Sequence, residues 1–264
     1  MRSAAPLKES DLIDALITGA TSGIGREMAR LLAPRCRRLV LVGRDPARME
    51  ALEKELKSYP GLETSGVLAD LSDPAACVAL HRDHPGVDLL INCAGFGDYG
   101  EFFATSLEKD LAMIDTNVKA LHVLTKLYLA DMVKADRGHI LNVASIAGFM
   151  PGPLMATYYA TKNYVVRLCE AIRKELSKRR SKVKISVLCP GPVKTGFEKA
   201  ANIGFFFTGS DPAYVARYAL SHLDRFYIVP NLAVRAAKMA LKLLPVPAVA
   251  SAIYMLQSTK KIRR

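Results

Sequence analysis

The 264-residue sequence has no tryptophan and only five cysteines, Cys36, Cys77, Cys93, Cys169 and Cys189, scattered without a CxxC pair. An odd, dispersed set excludes a disulfide framework and points to reduced, mostly buried thiols of a cytoplasmic protein. No zinc-ligand spacing occurs, so no metal site is expected. Residues 1–10 carry charges and a proline but no apolar segment, so no signal peptide is expected. No run reaches the roughly 18 apolar residues of a spanning helix, and no internal repeat or low-complexity tract stands out. Aromatic residues make up 7% of the chain and form no RNA-binding signature, so nucleic acid is not an expected partner even at a net charge of +12.

Half of the residues are hydrophobic and 23% are charged, a globular composition with enough chain for one large α/β domain. The positive excess is uneven. Residues 231–264 hold Arg235, Lys238, Lys242, Lys260, Lys261, Arg263 and Arg264 without an acid, and Arg173–Lys184 is a second basic run. A phosphorylated cofactor and an anionic membrane surface are the anionic partners this favours.

Asp14–Thr18 is a short apolar strand that runs into Gly19-Ala20-Thr21-Ser22-Gly23-Ile24-Gly25, with a helix over Glu27–Ala33. Strand, glycine turn and helix start make a phosphate site, because the backbone can approach a pyrophosphate and the helix N-terminus offers unpaired N–H groups; the alternative is a tight turn alone. Arg38–Arg44 is a second strand. Its end carries Gly43 and Arg44 where an acid would accept from a ribose 2′-hydroxyl, which favours NADP over NAD unless Arg44 is merely solvated. Further segments are a helix over Pro46–Ser58, strands over Thr64–Ala69 and Val87–Ile91, and a long helix over Ser106–Val133. A strand over Gly138–Ala144 ends at Ser145, and a strand over Val183–Leu188 stops at Cys189-Pro190-Gly191. Strands alternating with helices predict βαβ units: a Rossmann-like, doubly wound parallel sheet of about seven strands with helices on both faces. A helix over 157–179 would put Tyr158 and Lys162 one turn apart on one face, where an ammonium lowers the pKa of a phenol. Asn117, amid apolar neighbours in mid-helix, is either a satisfied structural amide or part of a polar relay.

These motifs, Thr18-Gly19-x-x-x-Gly23-x-Gly25, Asp70, Asn92-Cys-Ala-Gly95, Asn117, Ser145, Tyr158-x-x-x-Lys162 and Pro190-Gly191-x-x-x-Thr195, together resemble the short-chain dehydrogenase/reductase family over about residues 12–230. One departure is Cys93, where the family usually has a second Asn. The resemblance implies an oxidoreductase that moves a hydride between NADP(H) and a carbonyl/alcohol pair. It makes Tyr158 the general acid/base, Lys162 the group that depresses its pKa and binds the nicotinamide ribose, Ser145 the polariser of the substrate oxygen and Asn117 the holder of a relay water. It also implies cofactor contacts from Thr18, Gly19, Thr21, Ser22, Gly23, Ile24, Gly25, Arg44, Asp70, Leu71, Asn92, Ala94, Gly95, Pro190, Gly191, Val193 and Thr195, and a homodimer or homotetramer built on the long helices. A non-catalytic NADP(H)-binding sensor or scaffold is the alternative.

Phe96, Phe102, Phe103, Phe149, Met150, Leu154, Met155, Phe197 and Phe205–Phe207 flank the expected pocket and favour a lipophilic ketone or alcohol, such as a steroid or 3-oxoacyl group, although several could be ordinary core. After a helix over 211–222 and a strand over Phe226–Val229, residues 231–264 form a separate helical extension. Its pieces, 232–244 and Ala248–Leu256, would either lie on an anionic membrane surface or pack back over the lid or a partner subunit.

Overall fold

The computed structural model describes residues 12–197, 201, 209–241 and 244–259. The presumed lid phenylalanines Phe205–Phe207, and Lys242, Lys260, Lys261, Arg263 and Arg264 of the tail, lie outside that set. Strands β1 (Ile13–Thr18), β2 (Cys36–Gly43), β3 (Glu63–Leu68), β4 (Leu89–Asn92), β5 (His139–Val143), β6 (Lys184–Leu188) and β7 (Tyr227–Ile228) form one seven-stranded sheet in the order β3-β2-β1-β4-β5-β6-β7. Every pairing is parallel. The strand order reverses between β1 and β4, and ligands of open α/β sheets bind in the crevice at that point.

Alternation along the central strands explains the two layers. Leu16, Val40, Val42, Leu90 and Ile140 face one core with α3 (Pro74–Asp83), α5 (Leu121–Ala135) and α6 (Ala156–Lys178). Ala15, Ile17, Leu39, Leu41, Leu89 and Ile91 face the other with α1 (Gly23–Leu32), α2 (Pro46–Leu56) and α7 (Pro212–Leu220). Residues buried on both faces read as near-continuous apolar runs, as parallel strands require.

Two elements differ from the sequence expectation. The stretch expected as one helix over Ser106–Val133 is α4 (Leu107–Ile114), a π-helical turn over Asp115–Ala120, and α5. The wider turn falls on Asn117, whose Oδ1 accepts from the Phe96 N–H at 3.0 Å while its Nδ2 donates to the Phe96 carbonyl at 2.8 Å. Interrupting the helix there lets a buried amide meet a loop backbone. Helix α3 was not anticipated, although Asp73 caps it by accepting from the Ala75 N–H at 2.8 Å and Pro74 opens it.

The last helices among the described residues are α8 (Leu232–Leu241) and α9 (Val246–Ser258). Helix α8 packs on the loop after β6, where a Cβ at Gly191 would lie 2.9 Å from Val234 Cγ2. Arg235 is turned inward: its Nε donates to the Val229 carbonyl at 2.8 Å and its Nη2 to the Tyr218 hydroxyl. Helix α9 buries Val249 against Met150, Met155 and Tyr159. Among the described residues no helix is long and apolar enough to cross a membrane.

Candidate active site

The crevice between β1 and β4 is closed by backbone approaching backbone. Gly19 sits at φ +68°, and a Cβ there would lie 2.9 Å from the Ala94 main chain. Thr18 Oγ1 ties the two strand ends by accepting from the N–H groups of Cys93 at 3.1 Å and Ala94 at 3.2 Å. Gly23 sits at φ +52°, with the Thr195 methyl 3.0 Å from where its Cβ would be, so the glycine turn meets the loop that follows β6. A Cβ at Gly25 would fall 2.3 Å from the Gly19 carbonyl oxygen, so Gly25 is what lets the helix start this close to the turn. Ser22 is the N-cap of α1 but makes no side-chain cap bond, and the first turn holds no acid. The amide donors and positive end of α1 are therefore presented to an anion in the crevice, and the residues present fit a dinucleotide pyrophosphate.

The end of β2 reaches the same crevice. A Cβ at Gly43 would meet Thr21 Cγ2 at 2.6 Å, so Thr21 of the glycine turn fills the place of a side chain at Gly43. Arg44 is exposed, whereas Asp45 is occupied: it caps α2, accepting from the Arg48 N–H at 3.0 Å, and pairs with the Arg48 guanidinium at 3.1 Å. Asp70, after β3, is held below the usual carboxylate range by hydrogen bonds from Ser72, with Arg44 adding a smaller attraction. Leu71 is buried in the core and Ile24 packs, half-buried, on the opposite face of the sheet. Asn92 is 2% exposed and turned away from the crevice: its Nδ2 donates to Thr125 Oγ1 at 3.1 Å and to Asn142 Oδ1 at 2.9 Å. Its side chain braces the ends of β4 and β5 from within. Val193 is buried and bridges to Ser210.

Ser145, Tyr158, Lys162 and Asn117 converge at the carboxyl ends of β4 and β5. Ser145 leaves β5 and accepts from the Ala147 N–H at 3.2 Å; its side chain also hydrogen-bonds Tyr158. A Cβ at Gly95 would lie 2.8 Å from Asn117 Oδ1 and 3.4 Å from Lys162 Nζ, so this glycine separates the amide from the ammonium. Asn117 Nδ2 also reaches Thr161 Oγ1 at 3.2 Å. Lys162 is 5% exposed and its Nζ donates to the Val143 carbonyl at 3.0 Å. Burial draws its pKa down from 10.5 to about 8, against small opposing pulls from Cys93 and Cys189.

The expected lowering of the Tyr158 pKa by Lys162 is absent from this arrangement. The ammonium lies 5.8 Å from the centre of the Tyr158 ring, and the phenol is driven upwards, first by burial and only partly relieved by the Ser145 hydrogen bond. A phenol packed between the Tyr159 and Phe197 rings is partly stripped of water and favours its neutral form, and a cation already committed to a carbonyl does not offset that. The site therefore holds a neutral tyrosine.

A small cleft opens beside Tyr158, lined by Asp98, Phe102, Thr105, Met113 and Met155 among others. Phe197 packs against Tyr158, with ring centres 5.1 Å apart. The lining is mixed, because Asp98 pairs with Lys109 at 2.5 Å and Asp110 accepts from Thr105 at 3.2 Å. Not every expected pocket residue arrives: Phe103 is 84% exposed, and Phe149 packs 5.7 Å from Tyr227, away from the cleft. At helical spacing Tyr159 pairs only with Asn163, which sets it aside in favour of Tyr158; its contact with Gln257 is not foreseen from the sequence. Asn163 Nδ2 donates to the carbonyls of Tyr159 at 2.9 Å, Ala147 at 2.9 Å and Met150 at 3.0 Å, while the Tyr159 hydroxyl takes a hydrogen bond from Gln257 Nε2 at 2.6 Å. A partner 98 positions away leaves no local signal; only the spacing of Val249, Ile253 and Gln257 on one face of α9 hinted at it.

Comparison with known proteins agrees with this geometry. Residues 14–204 match the family model described as short chain dehydrogenase. An uncharacterised oxidoreductase of Staphylococcus epidermidis is 33% identical over 193 residues, covering 72% of this chain and 82% of that protein. A putative ketoacyl reductase of granaticin polyketide synthesis from Streptomyces violaceoruber is 37% identical over 69% of this chain and 68% of its own. Dehydrogenase/reductase SDR family member 7B of Bos taurus is 34% identical over 68% of this chain, which spans 58% of that longer protein. Among solved structures, a short-chain dehydrogenase from Sphingobium yanoikuyae in complex with NADPH superposes with a TM-score of 0.80 at 32% identity, covering 88% of this chain and 92% of that one. One from Burkholderia phymatum in complex with NAD gives 0.77 at 28% identity, covering 88% and 94%.

Proposed function

The chain belongs to the short-chain dehydrogenase/reductase family of oxidoreductases, and from that premise we propose that it interconverts a carbonyl and an alcohol on a lipophilic substrate with NADP(H). The observation that carries the reading is the convergence of Ser145, Tyr158, Lys162 and Asn117 on one end of the sheet, beside a crevice shaped for a dinucleotide. A bound nicotinamide supplies the hydride, so the protein has only to orient the carbonyl and manage one proton. Ser145 donates to the substrate oxygen and polarises it. Tyr158 Oη, neutral in this site, hands its proton to the same oxygen in reduction and takes it back in oxidation. Lys162 holds the ribose hydroxyls, and Asn117 keeps the loop after β4 in place beside it and holds the relay water behind it.

Preference for NADP is supported by an exposed Arg44 next to an Asp45 whose carboxylate is already spent on the α2 cap and on Arg48; a free acid there would repel a 2′-phosphate. Phe102, Met155 and Phe197 around the cleft favour an apolar substrate. Self-association is supported by Leu107, Leu111 and Ile114, an exposed apolar stripe at helical spacing on α4. Peripheral contact with anionic membrane is supported by Leu232, Met239, Val246 and Met255, exposed on a tail with no acid, although Arg235 faces the protein instead.

The test is a panel of aliphatic, steroidal and 3-oxoacyl ketones and their alcohols with both cofactors. NADPH-dependent turnover of apolar ketones is expected. Tight NADPH binding with no turnover across the panel would instead favour a sensor or scaffold.

A further inference from the structure

Asn163 follows Lys162 on α6, is half-buried, and is used neither by the cofactor crevice nor by the reaction. Its carboxamide is aimed at the short 3₁₀ turn Ile146–Phe149 that leaves Ser145. The carbonyls of Ala147, Met150 and Tyr159 that Nδ2 meets are acceptors only, which fixes the end of the amide that faces them. Two protons cannot serve three carbonyls fully, and within α6 the Tyr159 carbonyl already accepts the helical N–H four residues on. The amide protons therefore belong to Ala147 and Met150, and the turn is pinned near its start and just beyond its end.

Ala147 joins this amide to the chemistry. Its carbonyl meets Asn163 at 2.9 Å and its N–H donates to Ser145 Oγ at 3.2 Å, so one residue is gripped by both side chains. The Ser145 hydroxyl so oriented is the one bonded to Tyr158. Close packing keeps the turn on the helix: a Cβ at Gly148 would lie 2.6 Å from Val166 Cγ2 and 2.7 Å from the Lys162 carbonyl oxygen. On its other side the Ile146 N–H donates to the Pro190 carbonyl at 2.9 Å, in the loop after β6. That bond fastens the turn to the sheet side; the Asn163 bonds fasten it to the helix that carries Tyr158 and Lys162.

We propose that Asn163 is a positioning residue for the reaction: by fastening the Ala147 peptide to α6 it keeps the Ser145 hydroxyl at the distance from Tyr158 at which both meet one substrate oxygen. This rests on the reading of the site as one for carbonyl reduction. Asn163 touches neither substrate nor cofactor and acts through Ser145. A misplacement of about 1 Å between reacting groups can cost about a hundredfold in rate, so its loss should be felt in kcat and not in binding.

The test is a double-mutant cycle in the full chain, with NADPH and 2-decanone, of wild type, Asn163→Leu, Ser145→Ala and the two together. Asn163→Leu, similar in volume but without a donor, should lower kcat by about tenfold or more while calorimetric NADPH affinity and the KM for the ketone stay within about threefold. In the Ser145→Ala background the same change should cost no more than about twofold, because the hydroxyl it positions is gone. Leu176→Ala, at a buried position 13 residues further along α6 and about 20 Å away, loosens the same helix without touching the turn and should leave kcat within about twofold of wild type. Asn163→Ala, which leaves room for water at the freed carbonyls, takes the place of Asn163→Leu if the latter does not fold. An equal loss in both backgrounds, or a kcat for Asn163→Leu within about twofold of wild type, would overturn the proposal. Amide exchange by NMR reads the turn without turnover. Faster exchange at Ala147 in Asn163→Leu but not in Leu176→Ala supports Asn163 even where no ketone is reduced, and then the carbonyl-reduction reading alone falls; unchanged exchange at Ala147 overturns the Asn163 proposal itself.

Discussion

Replacing Lys162 with methionine should stabilise the empty enzyme while abolishing its turnover. The ammonium is 5% exposed, has one hydrogen bond among the described residues, to the Val143 carbonyl, and titrates at about 8 where an exposed lysine titrates at 10.5. That gap corresponds to about 3 kcal/mol spent on keeping the charge buried at neutral pH. Methionine has similar length and no charge, but it leaves the Val143 carbonyl unpaired, which gives back about 1–3 kcal/mol. The expected net gain is therefore small, about 0–2 kcal/mol by the same reckoning. The sign with pH is sharper. Below pH 8 the lysine is charged in both folded and unfolded chains and the penalty is constant. Between 8 and 10.5 the folded chain has released a proton that the unfolded chain still holds, so wild-type stability should rise relative to the variant and level off above 10.5. Urea unfolding of both proteins in steps from pH 7 to 11 measures the difference directly. A difference that stays flat across that window, or a variant less stable by more than about 2 kcal/mol at pH 7, would show that the burial of Lys162 has been misjudged.

Other perturbations probe the crevice and the sheet. Gly23→Ala puts a Cβ at φ +52° and 3.0 Å from the Thr195 methyl; it should cost about 1–2 kcal/mol in thermal unfolding and weaken NADPH binding by calorimetry, and unchanged binding would remove this turn from the cofactor site. Arg44→Ala should lower affinity for NADPH by about tenfold or more while leaving NADH nearly unchanged, and a parallel loss for both would mean that Arg44 does not meet a 2′-phosphate. His139 is half-buried beside Ser186 at 2.9 Å, and desolvation draws its pKa down from 6.5 to about 4. Its neutral form is favoured in the fold, so stability should fall as pH drops from 6.5 to 4, by up to about 3 kcal/mol; His139→Gln should flatten that limb in acid unfolding, and an identical limb would refute the assignment.

The parallel sheet and the glycine turn were legible because both leave local marks. Apolar runs ending in Gly19–Gly25, Asn92–Gly95, Ser145 and Pro190–Thr195 mark strand ends, and the crevice lies where those ends meet. Asp73-Pro74 carried a helix-start signal of the same kind for α3, although the short helix between polar turns escaped notice. What was hidden depended on distance in the chain. The π-turn at Asn117 exists because the Phe96 backbone, 21 residues earlier, needs partners, and periodicity cannot express that demand. Tyr158 and Lys162 do share a helix face, yet spacing could not reveal that the ammonium would turn to Val143 rather than to the phenol. Which aromatics reach the cleft was likewise undetermined by sequence: Phe102, Phe103 and Phe149 look alike as residues, yet Phe102, itself 69% exposed, borders the cleft, Phe103 faces solvent and Phe149 packs onto Tyr227.

The central claim is that Tyr158 passes the proton at the reacting oxygen, and it is tested most directly by Tyr158→Phe. The ring and its packing on Phe197 and Tyr159 remain, while the single hydroxyl bonded to Ser145 is removed. Ketone-dependent oxidation of NADPH should fall by about a hundredfold or more, with NADPH affinity and thermal stability close to wild type. Turnover retained within a few-fold of wild type would contradict the account and move the proton to another group.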